Sequence, residues 1–511
     1  MHLPPTFPLV LPLCRGLDIR GIVDRACPMP YYKYLSNGDV VEFLLLHLVQ
    51  HPNREPLYRM EEWAAEHDVG HLFDCPACAF NDDRIGHALE HVAKSAQEIH
   101  AAVVAAVLAQ YPIDPTVLHW DLTHIAFTDA RKETSLVRAG YGDGQVHERQ
   151  IKLSLHITSD ASLPVHYEVL PGNAQQQPRA KALLQQLQTL LQRQNFTIVT
   201  DRGGISFDII AEYQKAGTHF VSCLQQTEAQ REDMAAVPLE QFEESEYRSK
   251  KYPDHRFFVH PLVLDYGHQK RQGSLTVPAL IVHSERKQES DARERAKRIA
   301  RALAKLDKVR EQLNQRRFAS AEYVRKVLDN KIVKSLSPIV RYDLSGPDGA
   351  LALTYESDAG AEAEAAKLDG RYMLVYELPG EAASDQAFQL YKRQHLVESS
   401  FRAIGTDLAV NPVHLQRDER IAGLVLVYIL ALTILCLLGL GANRAGLEGD
   451  YYYRMTPQAM LRRFTHLHVT LVHARGQPAK IHIELTPGQI EVLQALNLPD
   501  PQRYLRPVAE P

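Results

Sequence analysis

The chain has 511 residues, 45% of them hydrophobic and 23% charged, with a formal net charge of −5. That length and balance describe a globular protein of two to four domains with a large core, and they exclude nucleic-acid binding driven by overall charge. Six cysteines (Cys14, Cys27, Cys75, Cys78, Cys223 and Cys436) are too few and too scattered for a disulfide framework, which fits a reducing cytoplasm. The opening MHLPPTFPLVLPLCRG lacks a basic leading segment and is broken by four prolines, so no secretory signal is expected.

Residues 1–112 read mainly as helices. Leu17–Arg25 and Gly38–Leu48 look helical, and Asp82–Leu108 gives one long alanine-rich amphipathic pattern. Cys75 and Cys78 have the spacing of half a zinc site, but no second pair follows, and structural cysteines are the expectation.

After Pro112 the composition turns to β. Thr116–Thr128 is a β-rich run with Asp121 in its middle. Aspartate is depleted in strands, and a buried carboxylate is costly unless paired or metal-bound, so Asp121 asks for a reason. Two short strands, Ile151–Thr158 and Leu163–Leu170, form a hairpin through Ser159–Ser162, and Arg179–Arg193 reads as an amphipathic helix. The apolar strand Phe196–Thr200 runs directly into Asp201-Arg-Gly-Gly204. Sites in open α/β sheets gather at the carboxyl ends of strands, and the two glycines permit close approach. A helix over Phe207–Lys215 and a strand over His219–Leu224 follow.

Strand-like runs at Arg256–Leu264 and Leu275–His283 then precede a charged helix from Glu285 to about Arg317, with twelve Lys or Arg against six Asp or Glu. Its excess of cations makes it the best local candidate for a phosphate-facing surface. Residues 346–367 look like a connector, and Tyr372–Leu378 is a strand. Asp385–Arg402 is expected as a single helix, with Tyr391, His395, Glu398 and Arg402 on one stripe beside Lys392 and Arg393. The uncharged run Ile421–Ala442 is long enough to span a bilayer. A helix buried in a large core is the favoured reading, and no membrane association is expected.

Asp121, Asp201 and Glu398 share one logic. Three carboxylates drawn from two strands and a helix can hold two divalent cations about 3.5–4 Å apart for phosphodiester chemistry. Hard oxygen ligands select Mg²⁺ or Mn²⁺.

At these residues the chain resembles the DDE transposases of bacterial insertion sequences. The matching segments are WDLTHIAF around Asp121, YG…RQIKLSL, PVHYEVLPGN, TDRGG at Asp201, LDGRYMLVYEL, and YKRQHLVESSFR continuing to DERIAGLVLVYILAL. The resemblance implies an α/β fold: a ribonuclease H-like mixed sheet flanked by helices, with a helical N-terminal domain and a β-rich insertion domain. The expected division is a helical domain for DNA-end binding (1–112), the first part of the catalytic core (113–224), the insertion (225–369), the second part of the core (370–470) and a C-terminal tail (471–511). It also implies Mg²⁺-dependent cleavage at terminal inverted repeats and strand transfer into target DNA. The active species would be at least a homodimer pairing two DNA ends, cytoplasmic and nucleoid-associated when DNA-bound. Asp121 would bridge both metals, with Asp201 and Glu398 completing one site each. DNA contacts are expected from Tyr391, Lys392, Arg393, Gln394 and Arg402. The group's signature has arginine and lysine where this chain has Gln394 and Gly405. Those departures, with the acidic net charge, motivate the alternative of a decayed or repurposed protein that binds DNA without cleaving it.

Overall fold

The computed structural model describes residues 2–29, 31–50, 55–127, 134–142, 145–174, 180–193, 195–249, 252–267, 274–334, 336–380, 384–408, 415–447, 455–472 and 480–505. The chain divides into two compact units, Met1–Thr218 with Arg393–Pro511, and His219–Lys392.

The first unit combines a helical layer with a mixed sheet. Its strands are β1 (Val117–Ala126), β2 (Arg138–Gly142), β3 (Gln145–Thr158), β4 (Pro164–Pro171) and β5 (Thr197–Thr200). β3 pairs antiparallel with β1, β2 and β4, and β5 lies parallel to β1 on its other edge. A parallel neighbour needs a crossover, and the Ala180–Leu191 helix between β4 and β5 supplies it. An antiparallel meander followed by a parallel strand is the arrangement expected of a ribonuclease H-like sheet.

The uncharged run forms the helix Asp418–Ala445. Among the described residues it is the one single helix long and apolar enough to cross a membrane, and 89% of its most apolar stretch is buried inside the protein. It packs against the helices Asn37–Val49, Asp82–Lys94 and Ala96–Gln110, and against β4. A helix apolar all round is stable in water when its neighbours cover it on every side. Gly423 is required there, because a β-carbon would collide with the Leu89 carbonyl. At the helix start, Glu90 receives Arg417 at 2.9 Å and Arg420 at 2.8 Å.

The expected single helix over Asp82–Leu108 is two, Asp82–Lys94 and Ala96–Gln110, bent by 80°. Between them Ser95 leaves helical geometry and its hydroxyl donates to the Ala26 carbonyl at 3.1 Å. That tertiary bond holds the corner between the two helices against the Ala26 backbone.

The second unit is built on an antiparallel sheet, β6 (His219–Cys223), β7 (Glu243–Glu244), β8 (Phe257–Gly267), β9 (Ser274–Ser284) and β12 (Arg371–Glu377), in the order β6-β12-β9-β8-β7. A separate hairpin, β10 (Val340–Ser345) with β11 (Ala352–Ser357), packs with the helix Glu285–Gln312 around Ile299, Leu306, Leu344 and Leu353. The 346–367 segment is therefore not a connector. It contains β11 and the helix Ala359–Ala366, whose start is capped by Asp358 accepting from the Ala361 N–H at 2.9 Å. Its alanines favour a helix, and the Asp358 cap fixes where that helix starts. The charged helix stops at Gln312 rather than Arg317, with Asn314 at a left-handed φ of 63° just beyond it.

Candidate active site

β1 and β5 run parallel in a register that pairs Trp120 with Thr200. The next residues are Asp121 on β1 and Asp201 just past the end of β5, so the register brings the two carboxylate-bearing positions to one level. Asp201 stays in extended conformation and caps the following turn, its Oδ1 accepting from the Gly203 N–H at 2.9 Å. The turn is pressed onto β1. A β-carbon on Gly204 would collide with the Thr200 hydroxyl and the Trp120 ring. Trp120 is itself fixed by its indole N–H donating to the Ser154 hydroxyl at 2.8 Å. The two glycines after Asp201 thus serve a close approach, though one of protein to protein.

Asp121 is the electrostatic centre of this group. Its carboxyl pKa is pushed up to about 7, chiefly by burial. The Leu122 N–H, donating to Oδ1 at 2.7 Å, works against the rise, while the charges of Asp201 and Glu398 add to it. Asp201 and Glu398 therefore both lie within electrostatic reach of Asp121. Among the described residues, no group of three or more His, Cys, Asp or Glu is placed so that it could hold a metal ion. The donor chemistry nevertheless fits hard divalent cations: three carboxylates and no thiolate or imidazole, one of them carrying charge only at a cost that a cation would remove.

Glu398 is exposed on the helix His395–Arg402, which packs against β1 and β3. This helix is distinct from Ser384–Lys392, so the expected continuous helix over Asp385–Arg402 is interrupted at Arg393 and Gln394. The interruption has a cause. Gln394 is turned inward and buried, where its amide N–H donates to the Trp120 carbonyl at 2.7 Å and its Oε1 meets His119 Nδ1 at 3.1 Å. Burial holds His119 neutral, with its pKa pulled down to about 4; the Gln394 bond opposes that, and the charges of Arg393 and His395 add to it. Because Oε1 can only accept, Nδ1 carries the proton and Nε2 accepts from the Ser159 hydroxyl at 3.1 Å. Arg393 in turn donates to that hydroxyl at 3.4 Å.

The spacing matches along both elements. Four helical residues from Gln394 to Glu398 advance about 6 Å, and two strand residues from His119 to Asp121 advance about 6.6 Å. The Glu398 charge is near enough to Asp121 to raise its pKa.

The expected DNA contacts divide. Arg393 and Arg402 are exposed beside Glu398. Gln394 is corrected from DNA contact to an internal bracket, since its side chain is buried and bonded to β1. Tyr391 and Lys392 belong to the second unit and pack in its aromatic cluster. The Lys392 ammonium lies 4.3 Å from the Phe257 ring centre, and the Tyr391 ring is 6.3 Å from that of Tyr372. Burial lowers the Lys392 pKa. Gly405 lies in the π-helical turn Ala403–Asp407, and no basic side chain stands there. Cys75 is partly buried, its thiol pushed up to about 12 by burial and then by Asp39 and Asp74.

His119, Trp120 and Ser159 were not singled out from sequence. The one available signal was strand alternation, which sets His119 on the same face as Asp121.

Over residues 112–434 the sequence matches the family described as Transposase DDE domain, and over residues 5–105 one described as a domain of unknown function. No curated protein matches the chain. Among solved structures, a cryo-EM structure of the piggyBac transposase synaptic complex with hairpin DNA aligns at 9% identity and a TM-score of 0.42, covering 91% of this chain and 79% of that one. The Mos1 transposase paired-end complex with left transposon end aligns at 13% identity and a TM-score of 0.15, over 36% of this chain and 62% of that one. A pre-cleavage Mos1 transpososome gives 12% identity, a TM-score of 0.15, and coverage of 36% and 63%. TM-scores below 0.5 are too low to equate the folds.

Proposed function

The chain belongs to the transposase DDE domain family, and on that premise we propose that it cleaves DNA at the inverted-repeat ends of its own element and joins the freed ends to target DNA. The observation that carries this reading is the β1–β5 register, which sets Asp121 beside Asp201, with Glu398 near enough to raise the Asp121 pKa. In the cleavage step, water attacks a backbone phosphorus and the bond to the 3′ oxygen breaks, leaving a 3′ hydroxyl. In the joining step, that hydroxyl attacks a phosphodiester of the target and displaces its 3′ oxygen.

Asp121, Asp201 and Glu398 would hold two Mg²⁺ or Mn²⁺ ions. When bound, such ions activate the attacking oxygen and stabilise the leaving one. Asp121 holds a proton near neutrality and must release it from its carboxyl for the ligand set to form. His119, Gln394 and Ser159 keep the glutamate-bearing helix in place on β1. Arg393 and Arg402, exposed on either side of Glu398, are suited to backbone phosphates, contacts that orient DNA without reading its sequence. Residues 1–112 would contribute to DNA-end binding, and pairing two ends requires at least a homodimer.

The test is Mg²⁺-dependent nicking of duplex DNA carrying the ends of the element. Losing one ligand removes several kcal/mol of transition-state stabilisation, so Asp121→Ala and Glu398→Ala are expected to lower nicking roughly a hundredfold or more. Undiminished cleavage by both variants would sink the assignment. End binding without cleavage by the wild type, under any divalent metal, would favour the non-catalytic alternative.

A further inference from the structure

The helix Glu285–Gln312 spends some of its cations on its own unit. Lys287 pairs with Asp291 at 2.6 Å, Arg310 pairs with Asp307 at 2.6 Å, and Arg295 pairs with Asp369. Its apolar side, Ile299, Ala302, Leu306 and Val309, is buried in the unit's core. On the opposite side Lys297, Arg301, Lys305 and Lys308 are all exposed, and among the described residues none of them has a carboxylate partner. Arg293, exposed one turn earlier, extends the row.

The spacing of four, four and three residues lays these side chains along one face. Like charges at that spacing disfavour the helix that carries them. Glu294 and Glu311, three residues before Lys297 and three after Lys308, offset part of that repulsion, and the face remains net cationic in a chain whose net charge is −5. From Arg293 to Lys308 it extends about 22 Å, at 1.5 Å per residue. Duplex DNA offers one phosphate charge per about 1.7 Å of axis, so a straight cationic row of that length can neutralise several at once.

We propose that the Lys297–Lys308 face is a second DNA-binding surface of this protein, taking the phosphate backbone of duplex DNA without base readout. The inference rests on the transposase reading, because that reading supplies duplex DNA as the partner. It adds a surface on the second unit that the acids do not require.

The experiment is a salt titration of duplex binding by the full chain, read by fluorescence anisotropy. The quadruple variant Lys297→Gln, Arg301→Gln, Lys305→Gln, Lys308→Gln removes the row and relieves its internal repulsion, so the helix is retained. Each lost phosphate contact reduces the slope of log affinity against log salt by about 0.9, so the slope should fall by roughly 3 to 4. Affinity for end-bearing and unrelated duplexes should fall together. The double variant Lys287→Gln, Arg310→Gln removes cations already paired with Asp291 and Asp307 and should leave the slope unchanged. A wild type that binds duplex, with the same slope in the quadruple variant, overturns the surface and leaves the transposase reading standing. Loss of binding to phosphatidylserine vesicles with unchanged duplex binding would overturn it in favour of a lipid partner. A wild type that binds no duplex at low salt would overturn the transposase reading itself.

Discussion

Asp121 carries a stability cost because its carboxyl is largely buried. Its folded-state pKa, about 7, stands above the ordinary aspartate value of 3.8. Below pH ~4 the carboxyl is neutral in both folded and unfolded chains and costs nothing. Between pH ~4 and ~7 the unfolded chain ionises first, so stability is lost as pH rises, and above pH 7 the loss is complete. Asp121→Asn should accordingly raise the melting temperature at pH 8, by the equivalent of ~2 kcal/mol after allowance for partial exposure, and have no effect near pH 4. Millimolar Mg²⁺ should narrow the gap by stabilising the wild type alone. A gap that is flat across pH, measured by thermal melts in a buffer series, would show that Asp121 ionises normally. Gly204 belongs at this scale as well. It has no side chain because Thr200 and Trp120 occupy the space, which is how the Asp201 turn comes to lie on β1.

At the scale of elements, the break at Arg393 and Gln394 turns a predicted helix into two, with the second anchored by its first residues. An amide that satisfies a buried carbonyl and a buried imidazole is hard to replace. Gln394→Ala should cost about 1–3 kcal/mol, since Trp120 O and His119 Nδ1 are left without partners. Well below the melting temperature it should slow nicking 10- to 100-fold by displacing Glu398, with DNA affinity within about twofold. Equal loss of affinity and turnover would return Gln394 to the DNA surface. Much at this scale was legible beforehand. β1, the β3–β4 hairpin, β5 and the charged helix all show in the sequence through alternation, turn residues and charge. The interruption at Gln394 was not legible, because its partners lie more than 270 positions away in sequence. Nor was the bend at Ser95, which a hydroxyl bond to Ala26 accompanies.

For the molecule as a whole, the helix Asp418–Ala445 ties the helical layer to the sheet within the first unit. Leu430 is fully buried in it. Leu430→Ala should destabilise that unit by about 2–5 kcal/mol, the transfer and cavity costs of a closed core, as read by calorimetry. A change under 1 kcal/mol would mean that the helix is not packed on all sides. The second unit carries its own sheet and hydrophobic clusters, and its cationic face is the property most open to test.

The sequence alone determined which residues could do chemistry and which segments had to be buried. Carboxylate identity, strand alternation and a long uncharged run are local properties, and local physics reads them. Resemblance at the same segments supplied the expectation of a transposase. Tertiary structure decided how those residues meet. The pairing of Trp120 with Thr200 brings Asp121 and Asp201 to one level, and the seating of Gln394 on His119 ties the Glu398-bearing helix to β1. Registers and buried hydrogen bonds join positions far apart in the chain, and no local pattern encodes such pairings.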